Sequence, residues 1–597
     1  MNNITGRIEA LRKKMEQAGV AATIIPQTDA HQSEYLAEHW QVRQWFSGFT
    51  GSAGTLVVTA DAALLWTDSR YFLQAAQQLE GSGIVLMKDG LPATPSIESW
   101  LCANLAKDST VGVDGMVFSV TDIERMQKAF AHCGITIDTN FAPVNELWAG
   151  RPAIPNDALY VHDAKYAGEV ATSKIARVLE AAAAADANAL FISALDEIAW
   201  TLNVRSSDVP CNPVATAFLF LSPDRNVLFI NPEKVDEKTR EYLASVNVET
   251  APYDSVARFL ALLPKDAKVY IEPARTAYTL ASVIGPHAVE GPSVVALPKA
   301  VKNLTQIEGT RKAMARDGVA LVKLFMEVER RLAAGEKLTE LDMDELGTKY
   351  RSEGALYVDN SFEMIAGYGP HGAIVHYSAT PESSSTIEPH GLLLVDSGAQ
   401  YLDGTTDITR TVALGTPTAQ ERTDFTLVMK GHIALATAVF PEGTRGDQLD
   451  ALARMPLWKH GLSYLHGTGH GVGHFLNVHE GPQSFRLNHV PVALRPGMIT
   501  SDEPGLYRAG VHGIRCENLV LCVPSPLSNA EFGNFYALEP LTMFPFDRNL
   551  FDLSIMSDEE IDWVNNYHST VRATLLPLLE NENQRQWLTA KTEPLCR

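Results

Sequence analysis

Four glycines in eight residues exclude a helix for His466-Gly467-Thr468-Gly469-His470-Gly471-Val472-Gly473. Each would cost a helix roughly 1 kcal/mol relative to alanine, and histidines set on so bare a backbone mean that something must come close to it. The segment continues into Val478-His479-Glu480-Gly481-Pro482, and a pair of carboxylates flanks it on either side. Upstream, Asp396 and Asp407 bound Asp396-Ser397-Gly398-Ala399-Gln400-Tyr401-Leu402-Asp403-Gly404-Thr405-Thr406-Asp407. Downstream come Glu503, in Asp502-Glu503-Pro504-Gly505, and Glu517, in Gly513-Ile514-Arg515-Cys516-Glu517-Asn518. Four carboxylates and one imidazole, in the order Asp, Asp, His, Glu, Glu, form a hard donor set suited to a two-metal hydrolase.

Asp396 closes the apolar run Leu392-Leu393-Leu394-Val395, which reads as a buried strand. An ionised carboxylate there is expensive unless it is paired or metal-bound. Asp407 opens a second run, Ile408-Thr409-Arg410-Thr411-Val412, after a turn at Asp403-Gly404, so the two runs read as a hairpin that brings both aspartates together. Such a pair repels unless a cation neutralises it or a proton is shared. His466 and His470 stand four apart, but the glycines and the lack of a glutamate after His466 argue against a helical zinc pair. Nor does an acidic residue follow at the spacing a nucleotide-binding loop needs. What remains is a loop whose glycines make room for a metal and a substrate chain. On the strand expected after Gly513, Arg515 and Glu517 share parity and should face the same side.

A chain of 597 residues implies about three or four domains. Its formal net charge of -22 argues against nucleic acid and against anionic lipid as partners. Six scattered cysteines without a CxxC pair make no disulfide framework and suit a reducing compartment. Neither a secretory h-region nor an apolar run of about 20 residues is visible, so a cytoplasmic protein is expected.

A helix is expected from Ile4 to Ala18, then strands at Ala22 to Pro26, Thr55 to Thr59 and Ala63 to Thr67. After a Pro- and Gly-marked linker at Ala149 to Asp157 the order repeats. A helix near Lys174 to Ala184 precedes strands at Ala189 to Ile192, Ala217 to Leu221 and Asn226 to Ile230. The pattern is that of a duplicated α/β module. Thr305-Gln306-Ile307-Glu308 reads as a capping box that opens a long, interrupted helix through Leu332.

These residues closely resemble the pita-bread metallopeptidases, the family of methionine aminopeptidase, prolidase and aminopeptidase P. The phrases from Asp396 to Tyr401, Asp403 to Thr411 and His466 to Pro482 are similar to the long, three-domain, cytosolic aminopeptidase P branch. The resemblance implies an α/β (α+β) chain: two similar N-terminal α/β domains, 1–153 and 154–300, then a pita-bread catalytic domain, 301–597, with a C-terminal extension around Trp563 and Trp587. It implies Asp396, Asp407, His470, Glu503 and Glu517 as ligands of two divalent ions, with Asp407 and Glu517 bridging them. Mn²⁺ is expected, with Zn²⁺ and Co²⁺ as alternatives. His376, His466 and His479 would act on the substrate side with Glu503, while Arg515 and Tyr507 would lie near the bound peptide. His474 stands where a small residue is expected. The implied reaction is removal of an N-terminal residue from peptides with proline second, in a homodimer. A prolidase-like X-Pro dipeptidase and a non-catalytic peptide-binding protein are the competing readings.

Overall fold

The computed structural model describes residues 4–597. They form two compact units: one runs through His162 and resumes over Glu169–Val295, the other comprises Asp163–Gly168 and Ala296–Arg597.

The first unit contains two six-stranded sheets of the same design. One has the order Val85–Lys88, Ala63–Thr67, Thr55–Thr59, Ala22–Ile25, Thr110–Gly112, Thr136–Asp138. The other has the order Val248–Ala251, Asn226–Phe229, Phe218–Leu221, Ala189–Ile192, Val269–Ile271, Ala288–Glu290. In both, the first strand along the chain pairs antiparallel on one side and parallel on the other, and both outer pairs are parallel. The duplicated α/β pattern is therefore real at the level of topology. Its opening helix, Ile4–Ala18, buries Ile8, Leu11 and Met15 at the expected helical spacing. The two sheets are tied by His31, which is 1% exposed. Its Nδ1 lies 2.9 Å from the Ser193 carbonyl and its Nε2 lies 2.9 Å from the Tyr253 hydroxyl.

Cys102 and Cys133 form a disulfide, a pairing that the scattered cysteine spacing did not foretell. Cys102 lies on the helix Ile97–Asn104 and Cys133 just beyond the helix Val120–Ala131. The packing of these helices brings the two Cα atoms to 5.7 Å across a separation of 31 residues.

The longest helix of the second unit is one unbroken 30-residue element, Leu304–Ala333. Its capping box is Asn303 with Gln306, so the start lies two residues before the expected Thr305. Asn303 accepts from the Gln306 N–H while the Gln306 side chain returns to the Asn303 N–H. A three-stranded sheet, Ile365–Tyr368, Leu392–Ser397 and Ile408–Ala413, holds the aspartate hairpin. A four-stranded sheet of Val439–Pro441, Phe535–Pro540, Asn518–Pro524 and Ile499–Asp502 holds the glutamate side. The helices Ala419–Ala436 and Asp558–Leu575 cover a core that includes Leu393, Val395, Phe425, Val428, Phe546 and Val564.

Candidate metal centre

Asp396 and Asp407 come together because Leu392–Ser397 and Ile408–Ala413 pair antiparallel, with Asp396 opposite Thr409. The connection between them is not a simple turn. Ala399–Tyr401 and Gly404–Thr405 pair with each other and extend a sheet with Tyr357–Asn360. Arg515 and Glu517 do not share one continuous strand: Glu517 lies in the break between His512–Arg515 and Asn518–Pro524. They still converge, through a residue that sequence reasoning did not single out. Thr409 Oγ1 donates to Glu517 Oε2 at 2.7 Å and accepts from Arg515 Nε at 3.2 Å. Its parity with Asp407 along the same strand was the available signal.

Donor atoms of Asp407, His470 and Glu517 all lie within 4.8 Å of one another. His470 Nε2 is 3.4 Å from Asp407 Oδ2 and 3.5 Å from Glu503 Oε1. Its Nδ1 sits 3.0 Å from the Gly471 carbonyl, which can only accept. That contact puts the ring proton on Nδ1 and leaves the Nε2 lone pair facing the carboxylates. Asp396 turns Oδ2 to Arg515, with Nη2 at 2.6 Å, while its buried Oδ1 receives no donor. Glu517 Oε1 is likewise buried and receives none. Orphaned buried carboxylate oxygens facing one imidazole lone pair are what a divalent cation would satisfy.

The electrostatics agree. Burial, reinforced by Asp396, raises the Asp407 carboxyl far above its ordinary range. Burial, and then Asp407, Asp396 and Glu503, does the same to Glu517. Burial lifts Glu503 to about 7 against the attraction of His470 and Arg515. Such a cluster of buried acids needs protons or cations to exist.

The three remaining histidines occupy different positions. His479 lies against the His470 ring, edge to face, with the two centroids 4.2 Å apart. Its neighbour Glu480 is locked by the buried Lys299 at 2.9 Å and Lys302 at 2.6 Å. His466 donates from Nδ1 to the Gly467 carbonyl at 2.7 Å, so its Nε2 accepts from the Tyr507 hydroxyl at 2.9 Å. Arg515 Nη1 donates to the same hydroxyl at 2.8 Å. Asp396, Arg515, Tyr507 and His466 thus form one directional chain, within which burial pushes Tyr507 up to about 12. His376 sits on irregular backbone just after the turn Gly369–Ala373, which packs against the Arg515 strand.

The glycines serve the chain's own packing. A Cβ on Gly469 would meet the Ser501 carbonyl at 1.8 Å, and one on Gly471 would meet the Glu480 carbonyl at 2.1 Å. Gly469 lets the histidine segment close on the strand Ile499–Asp502, and Gly471 lets it close on its own continuation at Glu480. His474 is buried, with Nδ1 3.5 Å from Thr310 Oγ1.

Residues 308–524 match the model of metallopeptidase family M24, and 534–595 match the C-terminal region of that peptidase. Residues 7–148 and 150–306 each match a creatinase/prolidase N-terminal domain. Aminopeptidase P2 of Arabidopsis thaliana is 41% identical over 99% of this chain and 88% of its own length. A probable Xaa-Pro aminopeptidase P of Coprinopsis cinerea is 40% identical over 99% of this chain and 98% of its own. The crystal structure of an X-prolyl aminopeptidase from Caenorhabditis elegans, described as a cytosolic enzyme with a di-nuclear active site, covers 100% of both chains. It matches with a TM-score of 0.96 at 34% identity. With the matched domains in this order and relatives alike over almost its whole length, the chain belongs to the aminopeptidase P branch of metallopeptidase family M24.

Proposed function

We propose that this protein is a metal-dependent aminopeptidase that hydrolyses the first peptide bond of chains with proline second. The observation that carries the reading is the buried Asp407, His470 and Glu517 cluster, with Asp396 and Glu503 at its edge. Asp396, Asp407, His470, Glu503 and Glu517 would hold two divalent cations. An oxygen-rich set with one imidazole suits Mn²⁺, while intrinsic affinity favours Zn²⁺. When bound, the cations supply Lewis acidity for a carbonyl and a nucleophilic hydroxide at neutral pH.

The chain's own groups do the rest. Glu503, whose Oε1 lies 3.5 Å from His470 Nε2 at the edge of the cluster, would accept a proton from water and return it to the leaving nitrogen. A prolyl nitrogen carries no N–H, so a site that leaves the bond's amide ungripped accepts it where other peptidases lose a contact. His479 and His376 would donate to the oxygen that gains charge. Arg515 and Tyr507 hold Asp396 and His466 in orientation and border the peptide. Peptides are the partners we propose, and homodimeric assembly is an expectation from the family resemblance. A cytoplasmic location has the support of the cytosolic relative, and the single disulfide does not amount to an extracellular framework. Module boundaries near 153 and 300 have the support of the matched ranges.

The test is hydrolysis of X-Pro dipeptides and longer X-Pro peptides by protein stripped of metal and reloaded with Mn²⁺, Zn²⁺ or Co²⁺. The reading expects release of the first residue from the longer peptides, abolished in Asp407→Ala. Turnover confined to dipeptides would favour a prolidase-like enzyme, and wild-type turnover by Asp407→Ala would overturn the site.

A further inference from the structure

His376 lies in the longest irregular stretch of the second unit. From Ile374 to Gly391 there is neither helix nor strand, only an isolated bridge at Thr386, so no backbone ladder sets its position. A buried carboxylate from another element does. Glu340 is the first residue of the helix Glu340–Ser352, and its side chain is 0% exposed. Four donors converge on it, all from the two flanks of the His376 loop. Before the loop, the Tyr368 N–H donates at 2.8 Å and His371 Nδ1 lies 2.9 Å from both carboxylate oxygens. After His376, the Tyr377 hydroxyl donates at 2.8 Å and the Ser385 N–H at 2.7 Å. The chain on both sides of His376 is therefore gathered onto one carboxylate.

The knot is stiffened by packing. The His371 and Tyr377 rings stack at 4.4 Å, so the donors on either side of the loop also support each other. Ile374 and Tyr377, which bracket His376, bury against Ile365 and Leu394. Ile365 is the residue paired with Asp396. The knot thus fixes the residues on both sides of His376 against the sheet. The helix N-terminus at Glu340 favours its negative charge, and with four donors this accounts for a carboxylate being tolerated in full burial.

We propose that Glu340 is a positioning residue for the reaction: it fixes the His376 loop so that the imidazole meets the substrate carbonyl as charge develops. It touches neither substrate nor cation itself. This rests on the reading of His376 as a substrate-side group. Replacing Glu340 by Gln keeps the shape but turns an NH₂ toward donors, which breaks the knot on one side.

The test is a double-mutant cycle on the metal-loaded enzyme with Glu340→Gln, His376→Ala and the pair, reading kcat, KM, bound cations and thermal unfolding. His376→Ala is expected to lower kcat by about 100-fold, the usual loss on removing one donor to a developing oxyanion. Glu340→Gln should lower kcat by about tenfold or more, with cation stoichiometry unchanged and little change in KM. The pair should be no slower than His376→Ala alone, because an imidazole that is absent cannot be misplaced. If the two losses multiply, Glu340 acts independently of His376 and the proposal is wrong. Wild-type kcat in His376→Ala would instead remove the functional reading on which it rests. Should Glu340→Gln fail to fold, Tyr377→Phe deletes one donor, keeps the stacked ring and enters the same cycle with the same two outcomes.

Discussion

Glu503 shows how one side chain can be read as both a ligand and a proton acceptor. Burial lifts its carboxyl from 4.5 to about 7, so near neutral pH a proton and a cation compete for the same oxygens. A folded-state carboxyl raised in this way keeps its proton until the pH passes 7. Cation affinity should therefore rise with pH through this region, by up to about tenfold per pH unit for each proton displaced. Calorimetric titration of Mn²⁺ at several pH values, in buffers of different ionisation enthalpy, measures both the slope and the protons released. Glu503→Gln should flatten that slope, and an unchanged slope would assign the titration to another group. The same tautomeric logic runs through the histidines: the Gly471 and Gly467 carbonyls each fix a ring proton, which makes His470 a lone-pair donor toward the acids and His466 an acceptor from Tyr507. Residue types and order were legible from sequence; these proton positions depend on backbone carbonyls placed by the loop.

Among the elements, the hairpin Gly505–Arg508 and His512–Arg515 carries Tyr507 and Arg515. It is clamped to the helix Ala419–Ala436 by Asp424, which takes Arg508 Nε and Nη2 at 2.5 and 2.8 Å and His512 Nε2 at 2.9 Å. Although desolvation would raise the Asp424 carboxyl, the hydrogen bonds from Arg508, His512 and Gln420 bring it down to about 2. Asp424→Ala leaves the half-exposed Arg508 and the buried His512 without their acceptor, a loss of about 1–3 kcal/mol. Denaturant unfolding should show that loss, together with reduced kcat at unchanged cation stoichiometry; loss of bound cations would show that the hairpin helps to form the metal site itself. A second brace comes from the C-terminal extension, where no motif could be read. Arg410, fully buried, donates to the Asn518 side chain at 2.8 Å, to the Phe544 carbonyl at 2.6 Å and to the Tyr567 hydroxyl at 3.0 Å, and also reaches the Glu517 carbonyl. The helix Asp558–Leu575 thereby backs the break between strands that holds Glu517. None of these partners is near its mate in sequence, which is why hydrophobic periodicity could place the elements and yet say nothing of the braces.

At the scale of the molecule, the two N-terminal sheets meet at His31, whose pKa burial lowers from 6.5 despite the nearby Asp29 and Asp208 carboxylates. An unfolded chain takes up that proton more readily, so the contribution of His31 is complete above pH 6.5 and is lost as pH falls below it. Thermal unfolding of the first unit should therefore weaken below pH 6.5. His31→Gln should reduce that pH dependence while lowering stability at pH 7 by about 1–3 kcal/mol, the cost of leaving a buried partner unsatisfied. An identical acid profile in the variant would place the titration elsewhere. Local pattern located Ile4–Ala18, Thr55–Thr59, Ala63–Thr67 and Ala189–Ile192 to the residue, because the helix buries one stripe and the strands are short apolar runs buried on both faces. The start of the long helix was misread by two residues because Thr305-Gln306-Ile307-Glu308 mimics a box that Asn303 and Gln306 make. The Cys102–Cys133 pair was not foreseen because only helix packing brings the two together. What the chain determined by itself was the donor set, its order and the repeated module, since residue type and local period are properties of short segments. What only the tertiary structure decided was which carboxylate oxygens are left without donors, which ring nitrogen carries each proton, and which elements Thr409, Glu340 and Asp424 join by hydrogen bonds. Those depend on approach between strands and helices dozens to more than a hundred residues apart, and long-range approach is set by the packing of the whole core.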